Sequence, residues 1–217
     1  MKLKFACILL FVGHFVHCQT FEDIFRDQFC ECLTEFYNSI EENEFNCFSK
    51  FIISNQAAIE TYIDEKENDP DFDNVDFIQE MYLNNQQFFF ANCGKYFETI
   101  NEARITTINN SISGCDTTEI KKLSIHIENY EFDSVFIRER GMCYLALEYY
   151  DLAIKDFQTL IEMGLMDSVT QYFLAVSYEQ TKSYQKASDI YELLYEETND
   201  DQFKIASEIV KFIDKSE

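Results

Sequence analysis

The sequence has no tryptophan, one proline and five glycines in 217 residues, and only 17 Lys and Arg against 40 Asp and Glu. Each shortage removes a class of function. Without tryptophan the chain lacks the usual aromatic platform for a sugar ring. The glycines never cluster, so no loop can cradle a phosphate with its backbone N–H groups. His14 and His17 fall near the N-terminus, which leaves His126 as the only later imidazole, set in an ordinary amphipathic pattern between Ile125 and Ile127. A Ser-His or Cys-His nucleophile would have to use that one residue. A formal charge of −23 repels nucleic acid and anionic membrane, since both demand a positive surface. No apolar run approaches the roughly 20 residues that a bilayer span needs.

What is present begins with Lys2 and Lys4 ahead of an apolar run, Phe5 to Val16, with the flanks of a secretory signal peptide. Cleavage after Cys18 would leave Gln19 as the new N-terminus, so residues 1–18 are expected to direct export to a periplasm or the outside. A rival reading makes Cys18 the lipid-bearing cysteine of a bacterial lipoprotein, which the bulky Phe15 and His17 suit poorly. Membrane attachment is expected only through such a lipid. The acidic residues are spread along the chain and read as solvated helix faces. With 47% hydrophobic and 16% aromatic residues, the chain can build a true core.

Six cysteines follow residue 18: Cys30, Cys32, Cys47, Cys93, Cys115 and Cys143. Export favours disulfides. Cys30, Cys32, Cys47 and Cys93 are the candidates, and four cysteines allow three pairings. Cys143 reads as a small buried residue. A four-thiolate zinc site is disfavoured because Cys30-Glu31-Cys32 lacks the two-residue gap of zinc knuckles.

Apolar residues recur at helical spacing over Phe21 to Ile40, Phe45 to Ile63, Asp76 to Asn92 and again through Tyr96, Phe97, Ile100 and Ile105. Cys32 lies in the apolar stripe of the first helix, and Cys30 is turned about 200° to its margin. Packing of the second helix antiparallel to the first would bring Cys47 toward Cys32. The Thr-, Asn- and Ser-rich stretch within 105–115 reads as a hinge between residues 19–104 and 116–217. Asp116-Thr117-Thr118-Glu119 resembles a capping box opening a helix through Ile120, Leu123 and Ile127. Between the second and third helices, Asp69, Asp71, Asp73 and Glu80 match positions of an EF-hand calcium loop, with Asn74 in place of the turn glycine and Asp76 at a position that is usually apolar. An acidic interhelical turn at a helix N-terminus accounts for the same residues.

From Asp133 onward one pattern is written twice at a spacing of 34. Asp133-Ser134-Val135 returns as Asp167-Ser168-Val169, Gly141 as Ala175, Tyr144 as Tyr178, Ala153 as Ala187, Phe157 as Tyr191 and Leu160 as Leu194. Small residues allow two helices to approach, and the aromatics fill the space between successive pairs. This period, with these residues, resembles the tetratricopeptide repeat, although the Trp and closing Pro of that family are absent, with Leu165 and Asn199 at the proline positions. The repeats would span about 134–167 and 168–201, closed by a helix at about 202–215 carrying Phe203, Ala206, Ile209, Val210 and Ile213.

The resemblance implies a concave face lined by Val135, Arg138, Met142 and Leu145 in one repeat and Val169, Tyr172, Val176 and Glu179 in the other. Family members that clamp a peptide's terminal carboxylate follow a basic residue by Asn four positions on, and here Arg138 is followed by Met142. An apolar face of this kind suits a helix or extended segment of a protein partner, unless the preceding helices pack into it. The expectation is an all-α, exported protein: a cysteine-containing helical domain, then a short tetratricopeptide-like array with a capping helix. It would act as a non-catalytic scaffold or adaptor without a cofactor. The alternatives are a calcium- or metal-responsive protein using the loop from Asp69 to Glu80, and a carboxylate-based hydrolase.

Overall fold

The computed structural model describes residues 20–38, 44–66, 74–129, 133–165 and 167–217. The expected signal peptide, Cys18, and Asp69, Asp71 and Asp73 of the calcium motif lie outside them. The fold is all-α: among the described residues there are eleven helices and no strand. None of these helices is long and apolar enough to cross a membrane. The chain forms two compact units, divided between Thr99 and Ile100.

The first unit holds α1 (Phe21–Asn38), α2 (Glu44–Lys66), α3 (Asn74–Asn84), α4 (Gln86–Asn92) and the start of α5 (Tyr96–Ser111). Thr20 and Asp23 cap α1 reciprocally: each side chain accepts the other's backbone N–H, at 3.1 and 2.9 Å. Phe21, Phe25, Phe29 and Leu33, four apart, form its buried stripe. The three phenylalanine rings meet Phe48, Phe51, Tyr62, Phe77 and Phe89 at centroid separations from 5.0 to 5.9 Å, mostly edge-on as the ring quadrupoles favour.

The single helix expected from Asp76 to Asn92 is two, broken at Asn85. The Asn85 amide donates to the Met81 carbonyl at 2.7 Å, and its oxygen accepts from Arg26 Nε at 2.6 Å. Asn55 kinks α2 in the same manner, donating to the Phe51 carbonyl at 3.0 Å while its φ is −124°. In both places a short polar side chain competes for helix hydrogen bonds. Cys30 pairs with Cys93 and Cys32 with Cys47, at Cα separations of 5.1 and 5.7 Å.

The second unit holds the rest of α5, then α6 (Thr117–Asn129), α7 (Ser134–Ala146), α8 (Tyr150–Glu162), α9 (Ser168–Gln180), α10 (Tyr184–Thr198) and α11 (Asp201–Ser216). Helices α7 and α8 form one hairpin, and α9 and α10 begin another 34 residues later. The turns inside the hairpins coincide as well. Tyr149 N donates to Tyr144 O and Ser183 N to Tyr178 O, both at 2.8 Å. Glu148 and Lys182 take the left-handed conformation, φ 63° and 58°, that closes such a helix end. Asp133, Asp167 and Asp200 cap α7, α9 and α11 through side-chain oxygens.

Within the hairpins Ala153, Phe157, Leu160, Ala175, Ala187, Tyr191 and Leu194 are fully buried. At Gly141 a Cβ would stand 2.8 Å from the Phe157 ring, so the close approach of α7 and α8 requires glycine there. Arg140 on α7 grips Asp156 on α8 with two hydrogen bonds, at 2.8 and 2.7 Å.

Two expectations are corrected here. The 105–115 stretch is not a loop hinge: residues up to Ser111 belong to α5, and Ile108 and Ile112 are buried in the second unit's core. Cys143 is not merely a buried small residue: it pairs with Cys115, Cα atoms 5.0 Å apart, tying the start of α6 to α7. Asp116 does cap α6, accepting from Glu119 N at 2.8 Å, while the Glu119 carboxylate turns to Lys122 instead of completing a reciprocal box.

Candidate functional site

The face expected to be concave is partly filled by the chain's own α5. Arg104 donates both terminal nitrogens to Glu179, at 2.8 and 2.5 Å, and one of them also to Asn101 at 3.1 Å. Glu179 accepts a further bond from the Tyr191 hydroxyl at 3.3 Å. The pair is almost wholly buried. Burial works against the Arg104 charge, but the Glu179 hydrogen bonds and charge outweigh it and hold the guanidinium pKa above its ordinary value. Tyr191, enclosed beside a carboxylate, has its phenol pKa raised well above the usual range, first by burial and then by the Glu179 charge. Tyr172 is shifted the same way by burial, with Arg104 opposing.

The eight residues assigned to the face therefore divide. Leu145, Val176 and Glu179 are buried, and Met142 is half-buried against the core. Tyr172 is half-buried, its ring 6.0 Å from Phe203 and 6.2 Å from Tyr191. Arg138 reaches across from α7 to α9, bonding Asp167 at 2.5 Å and Thr170 at 3.3 Å. Only Val135 and Val169 stand open, 51% and 48% exposed, at equivalent places in the first turns of α7 and α9.

Beside Tyr172 the second unit keeps a cavity of about 650 Å³. Its walls are α5 (Ile100, Ala103, Thr107), α9 (Val169, Tyr172, Phe173) and α11 (Phe203, Ala206, Ile209), so the lining is largely apolar. Among the described residues that line it, Arg104 is the only ionised side chain, already matched by Glu179. A mostly apolar cavity of this size with a few placed polar groups is the usual form of a binding site.

The α5 wall was not foreseen. Its signal was present, since Ile105, Ile108 and Ile112 keep helical spacing, but the surrounding Thr, Asn and Ser outweighed it.

Of the other candidates, Glu80 stands exposed on α3, and the rest of its motif lies outside the described residues. Cys30, Cys32, Cys47 and Cys93 are occupied with one another, which leaves no thiolates for zinc. Among the described residues no three His, Cys, Asp or Glu side chains gather as a cation would require. His126 packs on Phe136, ring centroids 3.6 Å apart. No protein-family model, curated protein or solved structure matches this chain.

Proposed function

We propose that this is an exported, non-catalytic interaction protein whose second unit is a short tetratricopeptide-like array docking a segment of a protein partner. The observation that carries the reading is the repetition of Val135 at Val169. Two half-exposed valines occupy equivalent first-turn positions on α7 and α9, and Arg138 spans the gap between the helices. Apolar side chains so placed, in rigid helices, form a ready contact surface. The coincident turns after Tyr144 and Tyr178 support the likeness to the repeat family. Export is supported by the Lys-flanked apolar N-terminal run and by three cysteine pairs, which point to an oxidising, non-cytoplasmic setting.

The test is affinity capture from the native source with the oxidised mature protein as bait, comparing wild type with a Val135→Asp, Val169→Asp variant. Both positions are open to solvent, so the variant is expected to fold. A partner retained by wild type and lost by the variant supports the reading. No specific partner, or one held equally by both baits, sinks it.

A further inference from the structure

One asparagine of the chain opens the pattern Asn-X-Ser/Thr: Asn109, followed by Asn110 and Ser111. No other asparagine has Ser or Thr two positions on, and Asn110 itself is followed there by Ile112. In a chain that enters a secretory compartment this tripeptide, with any middle residue but proline, is the acceptor for an N-linked oligosaccharide.

A bulky sugar chain needs an asparagine at the surface whose amide the fold does not use. Asn109 meets both conditions. It is exposed in the last turn of α5, and among the described residues its amide has no hydrogen-bond partner. The amides of Asn92 and Asn129, also exposed, donate instead to the Phe88 and Ile125 carbonyls, at 2.8 and 2.7 Å. Beyond α5 the chain turns at Gly114, φ 90°, where an added Cβ would meet nothing within 4 Å, so the ground beside the last turn is open.

The direction of Asn109 matters as well. At about 100° per residue it stands roughly 140–160° around α5 from Arg104, Thr107 and Ser111, which line the cavity. A glycan there leaves the cavity and Val169 uncovered. It would lie instead over Ile105, four residues earlier on the same face and 41% exposed. In the folded chain the Ser111 hydroxyl donates to the Thr107 carbonyl at 2.9 Å, so the tripeptide is read before α5 winds.

We infer that Asn109 carries an N-linked oligosaccharide. The donor is an oligosaccharide held on a membrane polyprenyl diphosphate. Asn109 Nδ2 forms a bond to the anomeric carbon of the first sugar, the anomeric C–O bond breaks, the lipid diphosphate leaves with the electron pair, and the amide releases one proton to water. This rests on the export reading and is independent of the partner surface.

The experiment isolates the chain from its native source, reduces it, and treats the tryptic peptide that begins at Ile105 with peptide-N-glycosidase in heavy-oxygen water. Residue 109 is expected to be read by mass spectrometry as Asp bearing the heavy oxygen, with Asn110 unlabelled. Expressed in the same cells, Ser111→Ala should lose the modification completely and Ser111→Thr should keep it. An unmodified Asn109 in a chain that begins at Gln19 and holds the Cys115–Cys143 bond overturns the inference and leaves export standing. A chain that keeps residues 1–18, with Cys115 and Cys143 reduced, overturns the export reading and the inference with it. Equal modification of the Ser111→Ala protein overturns the assignment to this tripeptide.

Discussion

Arg104 and Glu179, 75 residues apart, join in a buried two-pronged pair that fastens α5 along the face of α9. Arg104 Nε finds no acceptor, so the guanidinium depends on Glu179 and Asn101 for its hydrogen bonds. Removing one partner leaves an uncompensated charge in the interior. Arg104→Met or Glu179→Gln should therefore cost about 3–5 kcal/mol in urea unfolding. The double change to Met at both positions should cost far less than the sum, because no charge is stranded. If each single variant loses under about 1 kcal/mol, the pair does not hold α5 in place.

Gly141 meets the ring of Phe157 where any side chain would intrude. Alanine is the better helix former by about 1 kcal/mol. A Cβ at 2.8 Å from a fully buried ring reverses that advantage, since the ring has nowhere to move. Gly141→Ala should destabilise by about 1–3 kcal/mol. Combining it with Phe157→Leu should recover part of the Gly141→Ala loss. A stabilised Gly141→Ala protein would show that α7 and α8 do not approach so closely.

Unreduced peptide mapping by mass spectrometry should find three linkages: Cys30 with Cys93, Cys32 with Cys47, and Cys115 with Cys143. The first closes 63 residues and the second 15, so on chain entropy removing Cys30–Cys93 should cost about 1 kcal/mol more than removing Cys32–Cys47. Any other pairing in the native protein contradicts the arrangement of α1 in the first unit.

At alkaline pH the sign is set by Tyr191, with Tyr172 acting in the same direction. Both phenols are raised above the ordinary 10.0 in the folded protein, burial being the leading cause. Above pH 10 the unfolded chain has released protons that the folded chain still holds, so folding is favoured below that pH and weakened as pH rises. Phenolate absorbance from these residues should emerge together with the loss of helical circular dichroism. Tyr191→Phe should move that alkaline transition to higher pH. Ionisation of Tyr191 in a protein that stays fully helical would contradict its enclosure.

The paired helices were legible because their signals are local. Asp133 and Asp167 cap through residues two or three positions on, and the turns after Tyr144 and Tyr178 close over five residues. The polar stretch before Gly114 misled for a physical reason. Thr106, Thr107 and Ser111 hydrogen-bond to carbonyls of their own helix, so residues that compose a linker on paper are satisfied within α5. Asn85 was missed because its helix-breaking effect also draws on Arg26, 59 residues away.

By itself the sequence determined what neighbouring residues can settle: all-helical elements, the cap at Asp116, the period of 34, and the small and aromatic positions that let the hairpins pack. Only the tertiary structure decided which residues cover which. It joined α5 to α9 through Arg104 and Glu179, buried Leu145, Val176 and Glu179, and left Val135 and Val169 open, Val169 at the wall of the apolar cavity. Periodicity specifies which side of a helix is apolar. What covers that side depends on contacts between residues distant in sequence, such as Arg104 with Glu179, which no local pattern records.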